Sequence, residues 1–233
     1  MYEILRGHCP VCKCPGDDLD SIRHQCNKCG TLVTWMYFSR AEYETIYETT
    51  YHTTEQISKG AQVYDERYTE HFIAAKARLQ LLKALGIKPG NAIDVGCCNG
   101  AFVQAAHESG YQIVGIDPHP LNDKIIKGSW RDVVGQYDLI TLFDVIEHLL
   151  DPRECLVHLK NCLVDGGHLF IETPEFNAPD NQIERHLKPR EHICLYSDKA
   201  MRLLFDQVGL RLVFFYRPLD ATIGKIGYLV KKC

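Results

Sequence analysis

Hydrophobic and polar positions change period several times along this chain, and each change marks an element. From residue 65 onward apolar side chains recur every three or four positions (Tyr68, Phe72, Ala75, Leu79, Leu82 and Leu85), which predicts an amphipathic helix stopped at Gly86. Pro89-Gly90 then delivers the chain to a short β-branched and apolar run over 91–95, followed by a helical pattern over 101–109 that closes on Gly110. Further strands are predicted at 112–117, 124–128 and 137–144, the last a run of the buried, parallel-sheet type. A helix over 153–163, a turn at Asp165-Gly166-Gly167 and a strand over 168–173 follow, then a helix over 197–208 and strands over 210–216 and 223–230. Strands alternating with helices predict an α/β fold, a seven-stranded sheet with helices on both faces. The last two strands share a short connection and so run antiparallel.

In such sheets ligands lie beyond the carboxyl ends of the strands. The first strand ends on Asp94 and passes into Gly96-Cys97-Cys98-Asn99-Gly100, a glycine turn that opens the next helix. Glycine at such a turn allows unusual dihedrals and removes the Cβ from a ligand's path. The second strand ends on Asp117, about 20 residues on, the place suited to holding ribose hydroxyls. Asp94 directly before the turn would repel a pyrophosphate and suit a cationic ligand, and G-x-G-x-x-G spacing is absent. Ser129 and Trp130, past the third strand, are candidates for an adenine pocket, with Trp130 equally readable as a half-buried core residue, and Phe143 and Asp144, at the end of the fourth, for the cofactor's flank.

This glycine segment resembles the first motif of class I S-adenosylmethionine-dependent methyltransferases, an acid and a small residue followed by G-C-G-x-G. The resemblance implies the seven-stranded Rossmann-like methyltransferase sheet and S-adenosylmethionine as cofactor, held by Asp94, Gly96, Cys98, Gly100, Asp117, Ser129, Trp130, Phe143 and Asp144. Cys98 departs from the pattern, because it stands at the middle glycine and its Cβ would crowd the ligand.

Just past the fourth strand lies Asp144-Val145-Ile146-Glu147-His148-Leu149, and a second histidine, His192, precedes the aromatic-Ser start of a helix at Tyr196-Ser197. If the chain turns helically there, Asp144, Glu147 and His148 share one face. The stretch looks like the E-H element of ubiquinone-biosynthesis O-methyltransferases and of sugar and natural-product methyltransferases. That resemblance implies methyl transfer to a small hydroxylated acceptor, with His148 as general base or substrate orienter and His192 and Glu147 beside it. Small-RNA 2′-O-methyltransferases share the element and hold a divalent ion there. In this chain the matching positions are Asp144, Glu147, His148 and His192. Histidines bonded only to loop backbone are the plain alternative.

Of the eleven cysteines, five fall in the first thirty residues. Cys9-Pro10-Val11-Cys12 and Cys26-Asn27-Lys28-Cys29 are two C-x2-C turns able to point four thiolates at one tetrahedral zinc. Four protein ligands leave no open position, which makes the zinc structural. Cys14 could replace Cys12, and His8 or His24 could compete. The expected layout is a zinc ribbon over 1–34, an aromatic connector or lid over 35–64, where Trp35, Tyr37 and Phe38 lead into a tyrosine-rich stretch, and a methyltransferase domain over 65–233.

Composition narrows the partners. A hydrophobic share of 45%, a charged share of 24% and a net charge of −4 describe an ordinary globular chain with no general pull toward nucleic acid. The short basic stretch Arg185-His186-Leu187-Lys188-Pro189-Arg190 keeps RNA open as a second acceptor class. No apolar run is long enough for a membrane span and no export signal is visible, so a cytoplasmic location with reduced cysteines is expected. A third reading is a binding module whose cofactor loop Cys98 has spoiled.

Overall fold

The computed structural model describes residues 9–18, 23–34, 67–176, 192–217 and 224–232. The aromatic connector, the basic stretch over 185–190 and His8 lie outside these residues.

Helix α1 (Tyr68–Ala84) presents Ala75, Leu79 and Leu82 inward, as the three- and four-residue spacing requires. Strand β4 (Asn91–Val95) follows, then α2 (Ala101–Glu108), β5 (Gln112–Asp117), the short β6 (Ile126–Lys127) and β7 (Tyr137–Phe143). After α3 (Pro152–Asn161) come β8 (Leu163–Pro174), α4 (Asp198–Val208), β10 (Leu210–Tyr216) and β11 (Lys225–Lys232). These strands form a seven-stranded sheet in the order β10-β11-β8-β7-β4-β5-β6. From β6 to β8 the pairs are parallel, and β11 inserts antiparallel between β8 and β10.

The two faces of the sheet carry separate cores. Alternate strand residues Ala92, Ile113, Leu139, Phe170 and Leu229 meet α1 and α2 on one side. Ile93, Ile116, Ile140, Ile171 and Tyr228 meet α3 and α4 on the other. Asp151 caps α3 by accepting from the Glu154 amide, with Pro152 at its first turn, and Ser197 caps α4 by accepting from the Ala200 amide.

Several boundaries differ from the pattern reading, and three of the shifts concern the sheet. The third strand shrinks to Ile126–Lys127, an exposed edge pairing only with β5. Strand β8 begins at Leu163 and runs through Asp165-Gly166-Gly167, because these residues bulge out of the ladder. On β7 the register advances from Tyr137 to Leu139, while on β8 it advances from Leu163 to His168. The last strand runs to Lys232 rather than 230.

Ahead of this body, β1 (Gly16–Asp18), β2 (Arg23–Cys26) and β3 (Leu32–Thr34) make a small antiparallel sheet. Its fourth strand comes from far along the chain: β9 (Cys194–Leu195) pairs with β3 through Leu32↔Leu195 and Val33↔Cys194. Cys9, Val11, Cys26, Cys29 and Val33 consequently join the same buried core as α3 and α4.

Candidate active site

The glycine turn is held by its neighbours. Gly96 has φ +76°, and a Cβ there would stand 2.5 Å from the Val145 side chain. Its amide and that of Cys97 both donate to the Ile116 carbonyl, at 2.8 and 3.3 Å. Gly100 (φ +75°) is the left-handed N-cap of α2, and Asn99 Oδ1 accepts from the Ala101 amide at 3.2 Å. Alanine at Gly96 therefore meets both a backbone penalty and a clash. We expect Gly96→Ala to cost about 2 kcal/mol and lower the melting temperature by about 4–8 °C, with Val145→Ala in the same chain recovering part of the loss. Calorimetric melting of the single and double variants measures it, and no loss in the single variant would contradict this packing.

Cys98 sits in the left-handed region with φ 50°. Its amide donates to Asp117 Oδ2 at 2.9 Å, and the His119 amide donates to Oδ1 at 2.8 Å. Asp117 thus ties the turn to the end of β5, a second task beyond the ribose contact expected of it. Burial, then the Asp117 charge, pushes the Cys98 thiol up to about 12, so it is a neutral thiol near pH 7.

Asp94 is buried and accepts a hydrogen bond from Thr141 Oγ1 at 2.6 Å. Burial raises its carboxyl to about 7, against the opposing effects of Thr141 and Arg78. A cation placed beside it would favour the ionised form. Ser129 forms a capping box with Asp132 at the 3-10 turn Trp130–Asp132, which commits its hydroxyl. The structure places Trp130 in the core, edge-on to His158 at 5.8 Å, with the Arg131 guanidinium over its ring. Phe143 lies between Phe102 and Phe170 at 4.9 and 5.3 Å, under the Arg78 guanidinium at 4.2 Å.

Beyond β7 the chain does not turn as an α-helix. Asp144 is left-handed (φ 57°), and a 3-10 turn, Ile146–His148, starts two residues later. That break in spacing separates Asp144 from the cluster it was expected to share. Its carboxylate is ion-paired with Lys225 instead. Burial alone would raise its carboxyl, but the Lys225, Arg78 and His148 charges together hold it below the ordinary value.

Glu147, His148 and His192 do converge. All three are buried, and one ligand atom from each lies within 4.8 Å of the others. The imidazole centroids are 4.7 Å apart at 75°. Glu147 Oε2 accepts from Thr173 Oγ1 at 3.0 Å, whereas Oε1 is buried with no hydrogen-bond partner among the described residues. Burial, then the Asp144 charge, raises Glu147 to about 8. The sequence offered no sign of Thr173, nor of the Lys225 partner, nor of Glu172, which binds both Arg78 and Tyr216. Each pairing joins positions distant in sequence and close only in the folded sheet.

The four knuckle cysteines also converge. Cys9 and Cys29 Sγ are 3.4 Å apart, Cys12 and Cys26 Sγ 3.3 Å, and all four lie within 4.8 Å of one another. Four thiolates around a tetrahedral zinc stand about 3.8 Å apart, so the set fits that ion. The first turn closes through Cys9 N–H to the Cys14 carbonyl, which uses the backbone of Cys14 and leaves its thiol outside the group. The second closes through Gly30 N–H to the Cys26 carbonyl, with Gly30 left-handed.

A family model described as a methyltransferase domain matches residues 64–213. The chain belongs to that family, and its sheet order and glycine turn are those of the class I S-adenosylmethionine-dependent methyltransferases. A ubiquinone biosynthesis O-methyltransferase of Acinetobacter baylyi is 26% identical over 107 residues, 38% of this chain and 45% of the relative. A tRNA U34 carboxymethyltransferase of Vibrio atlanticus is 27% identical over 165 residues, 60% of this chain and 50% of the relative. The chain thus spans about half the length of the curated relatives it matches. Among solved structures, the 1,6-didemethyltoxoflavin N1-methyltransferase of Burkholderia thailandensis, with bound S-adenosylhomocysteine, superposes with a TM-score of 0.66 at 14% identity, over 93% of this chain and 98% of the other. Magnesium protoporphyrin IX methyltransferase from Synechocystis gives 0.64 at 14% identity, over 82% and 100%. No helix among the described residues is long and apolar enough to cross a membrane.

Proposed function

We propose that this chain transfers the methyl group of S-adenosylmethionine to a hydroxyl of a small acceptor such as a sugar, a nucleotide-sugar or a natural product. One observation carries the reading: a buried Glu147-His148-His192 cluster stands at the carboxyl edge of the strands, one 3-10 turn away from the Gly96 turn that packs on Val145. When bound, S-adenosylmethionine supplies an electrophilic methyl carbon whose bond to sulfur breaks as the acceptor oxygen forms its own. Asp117 and the glycine turn hold the adenosyl end, and Asp94 faces the cationic end. His148 accepts the acceptor's hydroxyl proton, while His192 packs edge-on against it and keeps its ring in place.

A second reading of the same cluster has Glu147, His148 and His192 holding a divalent ion. Glu147 Oε1, which has no hydrogen-bond partner among the described residues, supports it, since such an oxygen is costly to bury without a proton or cation. Asp144 is left out of that set by its ion pair with Lys225. The ribbon is assigned a structural zinc on Cys9, Cys12, Cys26 and Cys29. Residues 1–34, 35–64 and 65–233 are taken as ribbon, connector and methyltransferase domain, in a cytoplasmic protein.

The test is calorimetry with S-adenosylmethionine followed by transfer of a radiolabelled methyl to panels of hydroxylated small molecules and of RNA. Asp117→Ala should weaken cofactor affinity about 10–100-fold, because it removes both a ribose contact and the tie to the Cys98 amide. Label reaching RNA alone would replace the acceptor class. Absence of binding heat would turn the chain into a non-catalytic relative.

A further inference from the structure

We propose that the cysteine knuckle is a positioning device for the acceptor side of the site, acting on His192 through β9 and Ser197. This rests on the reading of Glu147, His148 and His192 as the acceptor site and deepens it by assigning the ribbon a task.

Residues 192–197 form a short strap with partners on two sides. On the ribbon side, β9 supplies the fourth strand of the small sheet, with Val33 opposite Cys194 and Leu32 opposite Leu195. The Ser197 hydroxyl donates to the carbonyl of Cys29, which is itself one of the four clustered cysteines. On the site side, the Ile193 amide donates to the carbonyl of Glu147 at 2.8 Å. The Tyr196 hydroxyl donates to the Ile146 carbonyl at 3.1 Å, and the Phe176 amide donates to the Tyr196 carbonyl at 3.0 Å. The strap therefore bridges a thiolate ligand and the backbone of the cluster residue Glu147, with His192 at its leading end.

A strap only six residues long has little cohesion of its own, since two strand residues cannot hold a register without a neighbour. Its order depends on what it is pinned to. The ribbon contributes only a few apolar side chains, Val11 and Val33 among them, to the core it shares with the body, too few to hold its shape without the metal that its thiols would bind. Losing that metal would free β3, and with it the one strand that β9 pairs with among the described residues. The cofactor turn is fixed mainly from the β5 side, because the Gly96 and Cys97 amides donate to the Ile116 carbonyl and the Cys98 amide donates to Asp117 at the end of β5. The metal is thus coupled to the acceptor side and not to the cofactor side.

Hydrogen exchange read by mass spectrometry on the full chain tests this without any acceptor. Removing zinc with a chelator should speed exchange in peptides covering 192–197 at least about ten-fold, alongside those covering 23–34. Peptides from β4 through β5 should keep their rates within about two-fold, and calorimetric affinity for S-adenosylhomocysteine should do the same. Opening of 23–34 with 192–197 still protected would overturn the proposal. Should chelation open every peptide, a zinc-loaded pair of variants decides: Ser197→Ala is expected to speed exchange over 192–195, and Ser197→Thr, which keeps the hydroxyl, to restore it. Loosening confined to the first turn of α4, where Ser197 is also the cap, would overturn the coupling. None of these readouts needs methyl transfer, so the strap can be refuted or upheld independently of the enzymatic assignment.

Discussion

Replacing His148 with alanine is expected to slow methyl transfer about 10²–10⁴-fold while leaving S-adenosylhomocysteine affinity within about two-fold. The split follows from the layout. His148 faces His192 and Glu147, whereas the groups proposed to hold the adenosyl end, the Gly96–Gly100 turn and Asp117, stand one 3-10 turn removed. A general base acts only as the hydroxyl proton leaves, so its loss is felt in turnover and not in cofactor binding. Glu147→Gln separates the two readings of the cluster. With its carboxyl raised to about 8, Glu147 carries a proton at pH 7, and glutamine imitates that state. Under the base reading the glutamine variant should stay within about ten-fold of the parent at pH 7. A divalent ion would instead need the ionised carboxylate, and the variant should then lose both metal and rate. Steady-state kinetics with a manganese titration reads both outcomes, and a His148→Ala enzyme of undiminished turnover would remove His148 from the mechanism.

Loss of the knuckle metal should have the largest effect on stability. Purified protein is expected to carry one zinc per chain, and Cys26→Ser to lose it. The free energy of a zinc knuckle is about 10–16 kcal/mol in isolated peptides. Here part of the ribbon's apolar surface is also buried on the body, through Val11 and Val33, so less of the total depends on the ion. A loss of about 3 kcal/mol or more, about 6–12 °C in melting temperature, is the expected result. Cys14→Ser is the control: its thiol stands outside the clustered four, and that variant should retain metal. Equal metal loss in both would redraw the ligand set. Elemental analysis and melting curves supply the two measurements.

The parts legible in the sequence were those written by local pattern. Asn91–Val95, Gln112–Asp117 and Leu210–Tyr216 fall where alternation or an apolar run ends on a turn residue, because a strand's limits are local chemistry. The cysteine pairs were legible because spacing alone brings two thiols to one turn, and the histidine pair because the E-H element resembles a known one. What escaped depends on the third dimension. The separation of Asp144 from Glu147 rests on one left-handed residue, which no periodicity announces. Lys225 on β11 reaches Asp144 past β7 over the intervening β8, and Tyr216 on β10 reaches Glu172 on β8 over β11. The glycines at 166 and 167 were read as a separator and proved to be a bulge, since only the register against β7 distinguishes the two. Strand β9 was invisible because two residues carry no pattern.

That short strand has a consequence for how the molecule is made. The amino-terminal sheet is completed by residues that leave the ribosome some 160 positions after β3, as Leu32↔Leu195 shows. A nascent chain would hold three short strands with the β3 edge unpaired until most of the body had been synthesised, and closing so long a loop belongs among the slow steps of folding. Severed at residue 34, the front piece would be a sheet missing its last strand, and the remainder would expose the strap edge that β3 covers.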